Sequence, residues 1–209
     1  MENLIISVGR QLGSGGCEIA KLLAEEFHCK FYDKELINLA AERSGFNPKI
    51  FERNDESHGR LKSIIGAFSG RMGRIGGTLY SNSISPESLF LVQSKVIQQA
   101  ADQSSCVFVG RCADYILRDS PRMFSIFITA NDDDRIKTVA ERLGCDSATA
   151  AKYIEKKEDE RASYYDYYTS KKWGASQSYN LCINSSMLGI ERTAQTIAKI
   201  IRDVYGMER

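Results

Sequence analysis

The sequence predicts an α/β fold built around a parallel β-sheet, and three observations support this prediction. A β-branched apolar run at residues 4–8 leads directly into a glycine-rich turn, which is followed by a helix-period segment at 17–28. Further short apolar runs then alternate with helix-period segments along the chain. The length of 209 residues is sufficient for one α/β domain with a well-buried core. Strands that alternate with helices form βαβ units, whose parallel sheet binds ligands at the carboxyl ends of its strands.

Strands are predicted where short apolar runs occur, and helices where apolar residues recur at helical spacing. The predicted strands are residues 4–8, 31–32, 106–109, 123–129 and 181–183. The predicted helices are residues 17–28, 34–44, 87–103, 132–143, 148–168 and 188–205.

The composition argues against several classes of function. Lys and Arg total 28 against 27 for Asp and Glu, so no overall charge indicates a nucleic-acid partner or an anionic membrane. No apolar run approaches the roughly 20 residues of a membrane span, and no secretory signal is visible. The six cysteines include no Cys-x-x-Cys pair, which disfavours a disulfide framework or a zinc site. We therefore expect free thiols and a cytoplasmic protein with neither a nucleic-acid nor a membrane partner.

The glycine-rich turn at residues 9–16 lies between a strand and a helix, where backbone N–H groups and a helix N-terminus hold phosphate. A phosphate loop of the Walker A type reads G-x-x-x-x-G-K-[ST]. Alignment of residues 13–15 with the end of this pattern puts Arg10 on its first glycine. Gly16 then takes the lysine position, and Glu18 lies near the Ser/Thr position. The cradle survives because it consists of backbone groups, whereas the lysine charge and the Mg²⁺-binding hydroxyl are lost.

A basic, glycine-rich segment interrupts the alternation of strands and helices. Residues 57–86 contain no acidic residue. A long stretch without predicted structure inside a domain is either a binding loop or disordered. A solvated insertion and a flap that closes over an anionic substrate are both consistent with the sequence. The cations of this segment are Arg60, Lys62, Arg71 and Arg74.

Two further candidate positions follow the second and third predicted strands. Arg111 comes after Gly110 at a strand's carboxyl end, where a guanidinium can bind a phosphate with two parallel hydrogen bonds. The alternative is a structural pair between Arg111 and a carboxylate. Asp33 follows the second strand, where it can cap the next helix. It can equally accept hydrogen bonds from a substrate or hold Mg²⁺ through water.

The region after the fourth strand is charged and aromatic. Arg135 projects from the first turn of a predicted helix, and five later cations alternate with tyrosines. Such a pattern can bind single-stranded nucleic acid, or form the solvated face of an amphipathic helix. A third interpretation fits better, because phosphoryl-transfer enzymes bring several cations to the migrating group, often on a mobile lid. The later cations are Lys156, Lys157, Arg161, Lys171 and Lys172.

Together these residues resemble the cytidylate-kinase-like family, a branch of the P-loop nucleoside monophosphate kinases. The matching segments occur in the family's order and extend over nearly the whole chain. They are residues 6–16, 31–36, 107–111, 126–130 with Arg135, and 184–186.

The resemblance implies a three-layer P-loop fold of the adenylate-kinase type, with a five-stranded parallel sheet in a single domain over residues 1–209. It implies a flexible acceptor-side insertion at about 46–88 and an arginine-bearing lid at about 144–178. It also implies ATP as phosphate donor, Mg²⁺, and a nucleoside monophosphate such as CMP as acceptor.

The resemblance further implies a role for particular residues. The donor phosphates would lie on Gly13, Ser14, Gly15, Gly16 and Cys17. The acceptor would contact Asp33, Arg111 and Asp114, and Mg²⁺ would be held through water by Asp33, Glu35 or Glu18. The resemblance makes Arg111, Arg135 and Arg161 candidate catalytic cations, and we add Arg10 because it lies in the loop itself.

Two departures from the family pattern leave two hypotheses. Gly16 replaces the loop lysine, and Cys112 replaces the acid of the family's Gly-Arg-Asp motif, although Asp114 is close. The favoured hypothesis is an active kinase in which Arg10 supplies the missing charge. The alternative is a nucleotide- or phosphate-binding regulatory protein that has lost catalysis. A third, an RNA-binding module, is disfavoured by the balanced charge.

Overall fold

A computed structural model describes residues 2–33 and 86–208. Within these residues, five strands form one parallel sheet in the order β2-β3-β1-β4-β5. The central strand β1 pairs with β3 and β4, so its carboxyl end lies between the loops that follow those two strands. The strands are β1 (Ile5–Arg10), β2 (Lys30–Tyr32), β3 (Cys106–Val109), β4 (Met123–Thr129) and β5 (Leu181–Asn184).

Six α-helices of the described residues connect or flank these strands. Asp146 caps one of them, since its side chain accepts a hydrogen bond from the backbone N–H of Thr149. Short 3₁₀ turns precede and follow β5, at Ser176–Ser178 and Ser185–Met187. The helices are α1 (Gly16–Glu26), α2 (Pro86–Gln103), α3 (Ala113–Ile116), α4 (Asp132–Leu143), α5 (Ser147–Thr169) and α6 (Ile190–Tyr205).

The sheet is covered on both faces, which makes three layers. Ile6 of β1 packs into a core that includes Ile19 of α1 and Ile197 of α6. Ile5, the adjacent residue, points to the opposite face and packs in a second core with Ile97 of α2. Alternate residues of a strand point to opposite faces, so β1 must be apolar on both sides. Burial of each such side chain contributes about 1.5–3 kcal/mol.

A third, smaller core joins α4 and α5 to the loop after β1. Its buried members are Leu12 of the loop, Val139 of α4, and Ala150 and Ile154 of α5. We call it the α4–α5 cluster. The loop at the end of β1 is therefore packed against two helices that come more than a hundred residues later in the chain.

The predicted fold class and the five predicted strands are confirmed. The sequence missed α3, because four residues are too few to show helical periodicity. The predicted helix at 34–44 lies outside the described residues, as do residues 57–85 of the basic segment and most of the expected insertion at 46–88. The expected lid region at 144–178 is occupied by α5 and the turn after it. Among the described residues, none of the helices has the length and apolar character needed to cross a membrane.

Candidate functional site

The loop between β1 and α1 has the geometry of an anion cradle. Gly13 and Gly15 adopt left-handed backbone conformations, with φ of 82° and 71°, and α1 begins at the next residue, Gly16. The Ser14 hydroxyl donates to the carbonyl of Gln11 over 2.9 Å, which closes the turn. Backbone N–H groups at the start of a helix attract anions. The loop borders an open cavity of about 530 Å³, which we call the donor cavity.

Glycine is required in this loop because neighbouring elements approach it closely. A Cβ atom at Gly13 would lie 2.7 Å from the carbonyl oxygen of Arg135, in the first turn of α4. A Cβ atom at Gly15 would lie 2.9 Å from Ile190, the first residue of α6. The shape of the loop is thus fixed by α4 on one side and α6 on the other.

The segment after β5 supports the loop from behind. The Ser185 hydroxyl lies 2.7 Å from the carbonyl oxygen of Ser14 and 3.0 Å from that of Thr129. The Asn184 side chain accepts from the backbone N–H of Ser186 and donates to the side chain of Asn131. Residues 184–186, noticed in the sequence only through the family resemblance, therefore tie the loop to the ends of β4 and β5.

Arg10 and Gly16 compete for the same space at the base of the loop. A Cβ atom built at Gly16 would lie 2.5 Å from Cβ and 3.1 Å from Cγ of Arg10. The Arg10 side chain extends from there to the end of β3, where Nη1 of its guanidinium lies in the space that a Cβ atom at Gly110 would occupy. A long side chain at position 16 is therefore excluded while Arg10 is present. In the Walker A pattern, position 10 corresponds to a glycine and position 16 to the lysine. The small residue and the cation have therefore changed places in this chain.

A second cavity lies beneath Arg10, between the carboxyl ends of β1 and β3 and the inner face of α5. We call it the inner cavity. Its lining combines basic and aromatic side chains with two carboxylates, Asp114 and Glu160, and Glu160 is paired with Lys157. Its lining includes Arg10, Arg111, Arg161, Asp114, Tyr164, Tyr165, Trp173 and Tyr179.

Arg111 reaches the inner cavity because the chain turns sharply after β3. Gly110, Arg111 and Cys112 have successive φ values of 76°, 58° and 56°. For non-glycine residues the left-handed conformation costs about 1–2 kcal/mol each. The Arg111 guanidinium lies 5.7 Å from the ring centroid of Tyr164 on α5. Costly backbone of this kind is concentrated at functional sites, and here it places a cation at the wall of the cavity.

Asp114 is a buried carboxylate in the wall of the inner cavity. Its side chain is 5% exposed and accepts a hydrogen bond from the Tyr165 hydroxyl over 2.6 Å. Burial raises the pKa of Asp114, and the hydrogen bond from Tyr165 opposes that rise. The pKa of Tyr165 is also raised, first by burial and then by the charge of Asp114. Sequence reasoning missed this pairing because Asp114 and Tyr165 lie on separate helices.

Arg161 lies between the two cavities. Its Nη1 donates to the carbonyl oxygen of Arg10 over 3.4 Å, and its side chain lines both the donor and the inner cavity. Arg10 also lines both. Two of the arginines predicted to be catalytic are therefore brought to the boundary between the cavities.

Arg135, which was predicted to be catalytic, is paired with carboxylates of the protein. Its side chain is only 5% exposed, and Nη2 lies 2.5 Å from Glu158 Oε1. Its Nη1 lies 2.9 Å from Asp132 Oδ1, and its Nε donates to the carbonyl of Leu12. These contacts direct the guanidinium toward the loop backbone and α5, and the catalytic role of Arg135 stays a prediction.

The predicted Mg²⁺ ligands have different surroundings. Glu18 is exposed and borders the donor cavity, Asp33 lies just after β2, and Glu35 lies outside the described residues. The Cys17 thiol borders the same cavity, and its pKa is raised first by burial and then by Glu18, so it is a poor ligand for Mg²⁺. Within residues 2–33 and 86–208, there is no group of three His, Cys, Asp or Glu side chains suited to a metal ion. These residues fit Mg²⁺ that is held mainly by substrate phosphates.

The parallel sheet and its glycine loop define an α/β fold of the P-loop kinase type. Shikimate kinase from Bacteroides thetaiotaomicron is 12% identical, with a TM-score of 0.50 over 97% of this chain and 98% of that chain. Shikimate kinase from Acinetobacter baumannii in complex with shikimate is 14% identical, with a TM-score of 0.51 over 97% and 94%. At such identities these likenesses show the fold alone.

The sequence model of the cytidylate kinase-like family matches residues 5–187, and the chain belongs to this family. An uncharacterized protein from Eubacterium ventriosum is 29% identical, with a TM-score of 0.71 over 95% of this chain and 98% of that chain. No curated protein matches this chain.

Asp114→Asn should remove a pH-dependent loss of stability. The pKa of Asp114 is raised in the folded protein. Its stabilising contribution to the free energy of unfolding is therefore complete below the ordinary Asp pKa of about 4. That contribution is lost as the pH rises through the folded pKa. Urea unfolding between about pH 4 and pH 8 should show the free energy of unfolding of the wild type falling relative to that of the variant. Asp119→Asn, at a side chain that is 89% exposed, is the control. A difference that stays constant with pH would contradict the effect of burial.

Gly16→Lys alone should lower the free energy of unfolding by about 1–3 kcal/mol, the usual cost of overpacking. Arg10→Gly removes the Cβ and Cγ atoms that block position 16. The Arg10→Gly/Gly16→Lys double variant should therefore lose less stability than the sum of the two single changes. Urea unfolding of the three variants measures this coupling. Strict additivity would show that the two positions do not compete.

Proposed function

We propose that this protein transfers the γ-phosphoryl group of ATP to a nucleoside monophosphate, with CMP as the first candidate. The observation that carries this proposal is that Arg10 and Arg161 line both cavities. Family membership supports a kinase-like function toward a nucleotide or another small molecule. Two cavities with shared cations at their boundary suit a reaction in which a charged group passes from one ligand to the other.

On the donor side, the loop amides would hold the ATP phosphates at the start of α1. Mg²⁺, when bound, neutralises charge on the donor phosphates, with Glu18 or Asp33 as outer ligands through water. The segment after β5 keeps the loop in position through Ser185. None of these contacts requires a side chain at position 16.

Arg10 would replace the loop lysine. Its side chain fills the space next to Gly16 that a lysine at that position would need, and it extends toward Gly110 at the end of β3. A guanidinium stays charged at every physiological pH, and its planar group can bind two phosphate oxygens at once. The exchange of Arg for Gly at position 10 and Gly for Lys at position 16 therefore preserves one cation at the base of the loop.

On the acceptor side, Arg111 and Arg161 would bind the monophosphate, and aromatic side chains of the inner cavity would contact its base or sugar. The inner cavity has a volume of about 70 Å³, so part of a bound nucleotide would extend beyond it. Asp114 supplies a hydrogen-bond acceptor among Tyr165 and Tyr179, which suits a ligand that carries an N–H or O–H group at that end. CMP has these features. Arg111 and Asp114 thus keep the acceptor roles predicted for them as part of this proposal.

In the transfer step an anionic oxygen of the acceptor phosphate attacks the γ-phosphorus of ATP. A new phosphorus–oxygen bond forms, the bond to the bridging oxygen of ADP breaks, and the bonding pair leaves with ADP. Because the attacking oxygen carries no proton, no general base is needed. The protein contributes by positioning the two ligands and by spreading positive charge over the three equatorial oxygens of the migrating group.

The second candidate is a nucleotide-binding regulatory protein without catalysis. The observation that favours it is Gly16, since every side-chain function of the usual lysine is missing at that position. Both candidates predict nucleotide binding in the donor cavity, so only turnover separates them. We also infer a cytoplasmic location, because all six cysteines are free thiols, as expected in a reducing compartment.

The deciding experiment is a turnover assay with ATP and Mg²⁺ against CMP, UMP, AMP and GMP. Shikimate serves as a comparator that is not a nucleotide. Formation of a nucleoside diphosphate together with ADP supports the proposed function, and the preferred monophosphate identifies the acceptor. Nucleotide binding without transfer to any acceptor would favour the regulatory protein.

Arg10→Ala should lower kcat by at least about 100-fold, the usual effect of losing one preorganised charge in a catalytic site. ATP affinity should fall much less, because a contact made mainly in the transition state affects the rate more than ground-state binding. Steady-state kinetics and equilibrium binding measure the two effects. The Arg10→Gly/Gly16→Lys variant, which regenerates the Walker A order, should recover part of the rate.

A different outcome would assign Arg10 a structural role. If Arg10→Lys keeps full activity while Arg10→Ala loses thermal stability and activity together, Arg10 holds the loop in shape and does not replace the lysine. Thermal unfolding of both variants provides this comparison.

Arg111→Ala should weaken monophosphate binding by at least about 10-fold and leave ATP binding nearly unchanged, because charge-assisted hydrogen bonds contribute about 1.5–3 kcal/mol. Calorimetric titration of each ligand separately measures this. Arg118→Ala is the control, since Arg118 lies on the surface after α3 and its side chain is 50% exposed. A loss of ATP affinity with unchanged monophosphate affinity would reverse the assignment of the two cavities.

A further inference from the structure

The helix α5 is fastened to the glycine loop through Glu158. We propose that Glu158, together with Arg135, is a positioning pair that holds Arg161 and the loop in their working arrangement before nucleotide binds. This inference rests on the proposed phosphoryl transfer. In this proposal Arg161 is carried by the helix α5 and is in place before nucleotide binds, and no closing movement of a lid is needed to bring it there.

Both polar backbone groups of Leu12 are bound by this one ion pair. The Leu12 N–H donates to Glu158 Oε1 over 3.0 Å, and Nε of Arg135 donates to the Leu12 carbonyl over 3.0 Å. Nη2 of Arg135 closes the arrangement by donating to the same Oε1 of Glu158. A carboxylate from α5 and a guanidinium from α4 therefore bracket a single residue of the loop.

Packing reinforces the same connection. The Leu12 side chain is 8% exposed and lies in the α4–α5 cluster, next to Val139 and Ile154. The backbone of Arg135 passes so close to Gly13 that a Cβ atom there would lie 2.7 Å from the carbonyl oxygen. A change in the shape of the loop would therefore disturb α4. Movement of α5 away from the loop would break the hydrogen bond between Glu158 and the Leu12 N–H.

The contacts of Glu158 and Arg135 with Leu12 also set the position of Arg161. Arg161 follows Glu158 by three residues on α5, so the two side chains project from adjacent positions of one helical face. Its Nη1 donates to the carbonyl of Arg10, at the boundary between the cavities. A charge held in place before the reaction needs no reorganisation during it. Glu158 would thus act through Arg161, without touching either substrate.

The burial of the pair is consistent with a role in positioning. The side chains of Arg135 and Glu158 are 5% and 19% exposed, so both groups have lost much of their hydration. Buried ion pairs of this kind often contribute little net stability compared with apolar side chains of similar volume. Burial of Arg135 and Glu158 is costly, and the pair binds both backbone groups of Leu12. We therefore assign to the pair a role in fixing the position of the loop and not mainly in adding to the free energy of unfolding.

Glu158→Gln is the first test, with Glu155→Gln as the matched control on the exposed face of α5, one turn earlier. Glu158→Gln should lower kcat between about 10-fold and 100-fold, the scale expected when a catalytic group is displaced by about an ångström. The KM values should change much less. Glu155→Gln should behave as the wild type.

A double-mutant cycle shows whether Glu158 acts through Arg161. In an Arg161→Ala background, Glu158→Gln should lower kcat by a clearly smaller factor than in the wild type, because Arg161 is gone and only the contact of Glu158 with the loop remains to be lost. Fully additive losses would overturn the proposal. If Glu158→Gln does not fold, Arg135→Lys replaces it in the cycle, since lysine keeps the charge but lacks the planar group that reaches both Leu12 and Glu158.

Hydrogen exchange at the Leu12 amide tests the same arrangement without turnover. In the nucleotide-free wild type this amide should be protected, and Glu158→Gln should raise its exchange rate while Glu155→Gln leaves it unchanged. Unchanged exchange in Glu158→Gln would overturn the proposal even in an active enzyme. If the wild type transfers phosphate to no acceptor, the proposed function fails, and the positioning of Arg161 for transfer fails with it. The exchange rates then show only whether Glu158 holds the loop.

Discussion

The base of the glycine loop has room for one long side chain, and the arrangement of the site depends on this constraint. Arg10 occupies that room from the end of β1, so position 16 at the start of α1 must be glycine. The same side chain reaches Gly110 at the end of β3, which links the two strands whose carboxyl ends form the site. A cation that comes from the strand instead of the helix lies at the boundary between the two cavities, where the proposed transfer needs charge.

The rest of the site is organised by charges that are paired inside the protein. Asp114 is buried against Tyr165, and Glu158 is held between Arg135 and the backbone of Leu12. The first pair joins α5 to α3, and the second joins α5 to α4 and to the glycine loop. Burying a carboxylate is unfavourable without such partners. Their presence therefore fixes the distance of α5 from the sheet and from the loop, and with it the width of both cavities.

Much of the fold followed from the sequence, because the signals involved are local. The apolar run of β1 and the acidic first turn of α4 each depend on residues within a few positions of one another. The family resemblance added the order of the motifs and directed attention to residues 184–186. The contacts of Arg135 with Asp132 and Glu158 did not follow from the sequence, since position in a helical first turn does not reveal whether a guanidinium faces a cavity or a carboxylate.

The sequence by itself determined the α/β class, the glycine loop between β1 and α1 and the absence of the usual loop lysine, because strand runs, glycines and motif spacing are read from consecutive residues. Only the tertiary structure decided that Arg10 excludes a side chain at position 16, and that Arg161 lies at both cavities while Arg135 does not. It also brought Asp114 to Tyr165 and Glu158 to Leu12. These outcomes depend on contacts between residues far apart in the chain, whose distances are set by how the helices pack on the sheet and not by any local pattern.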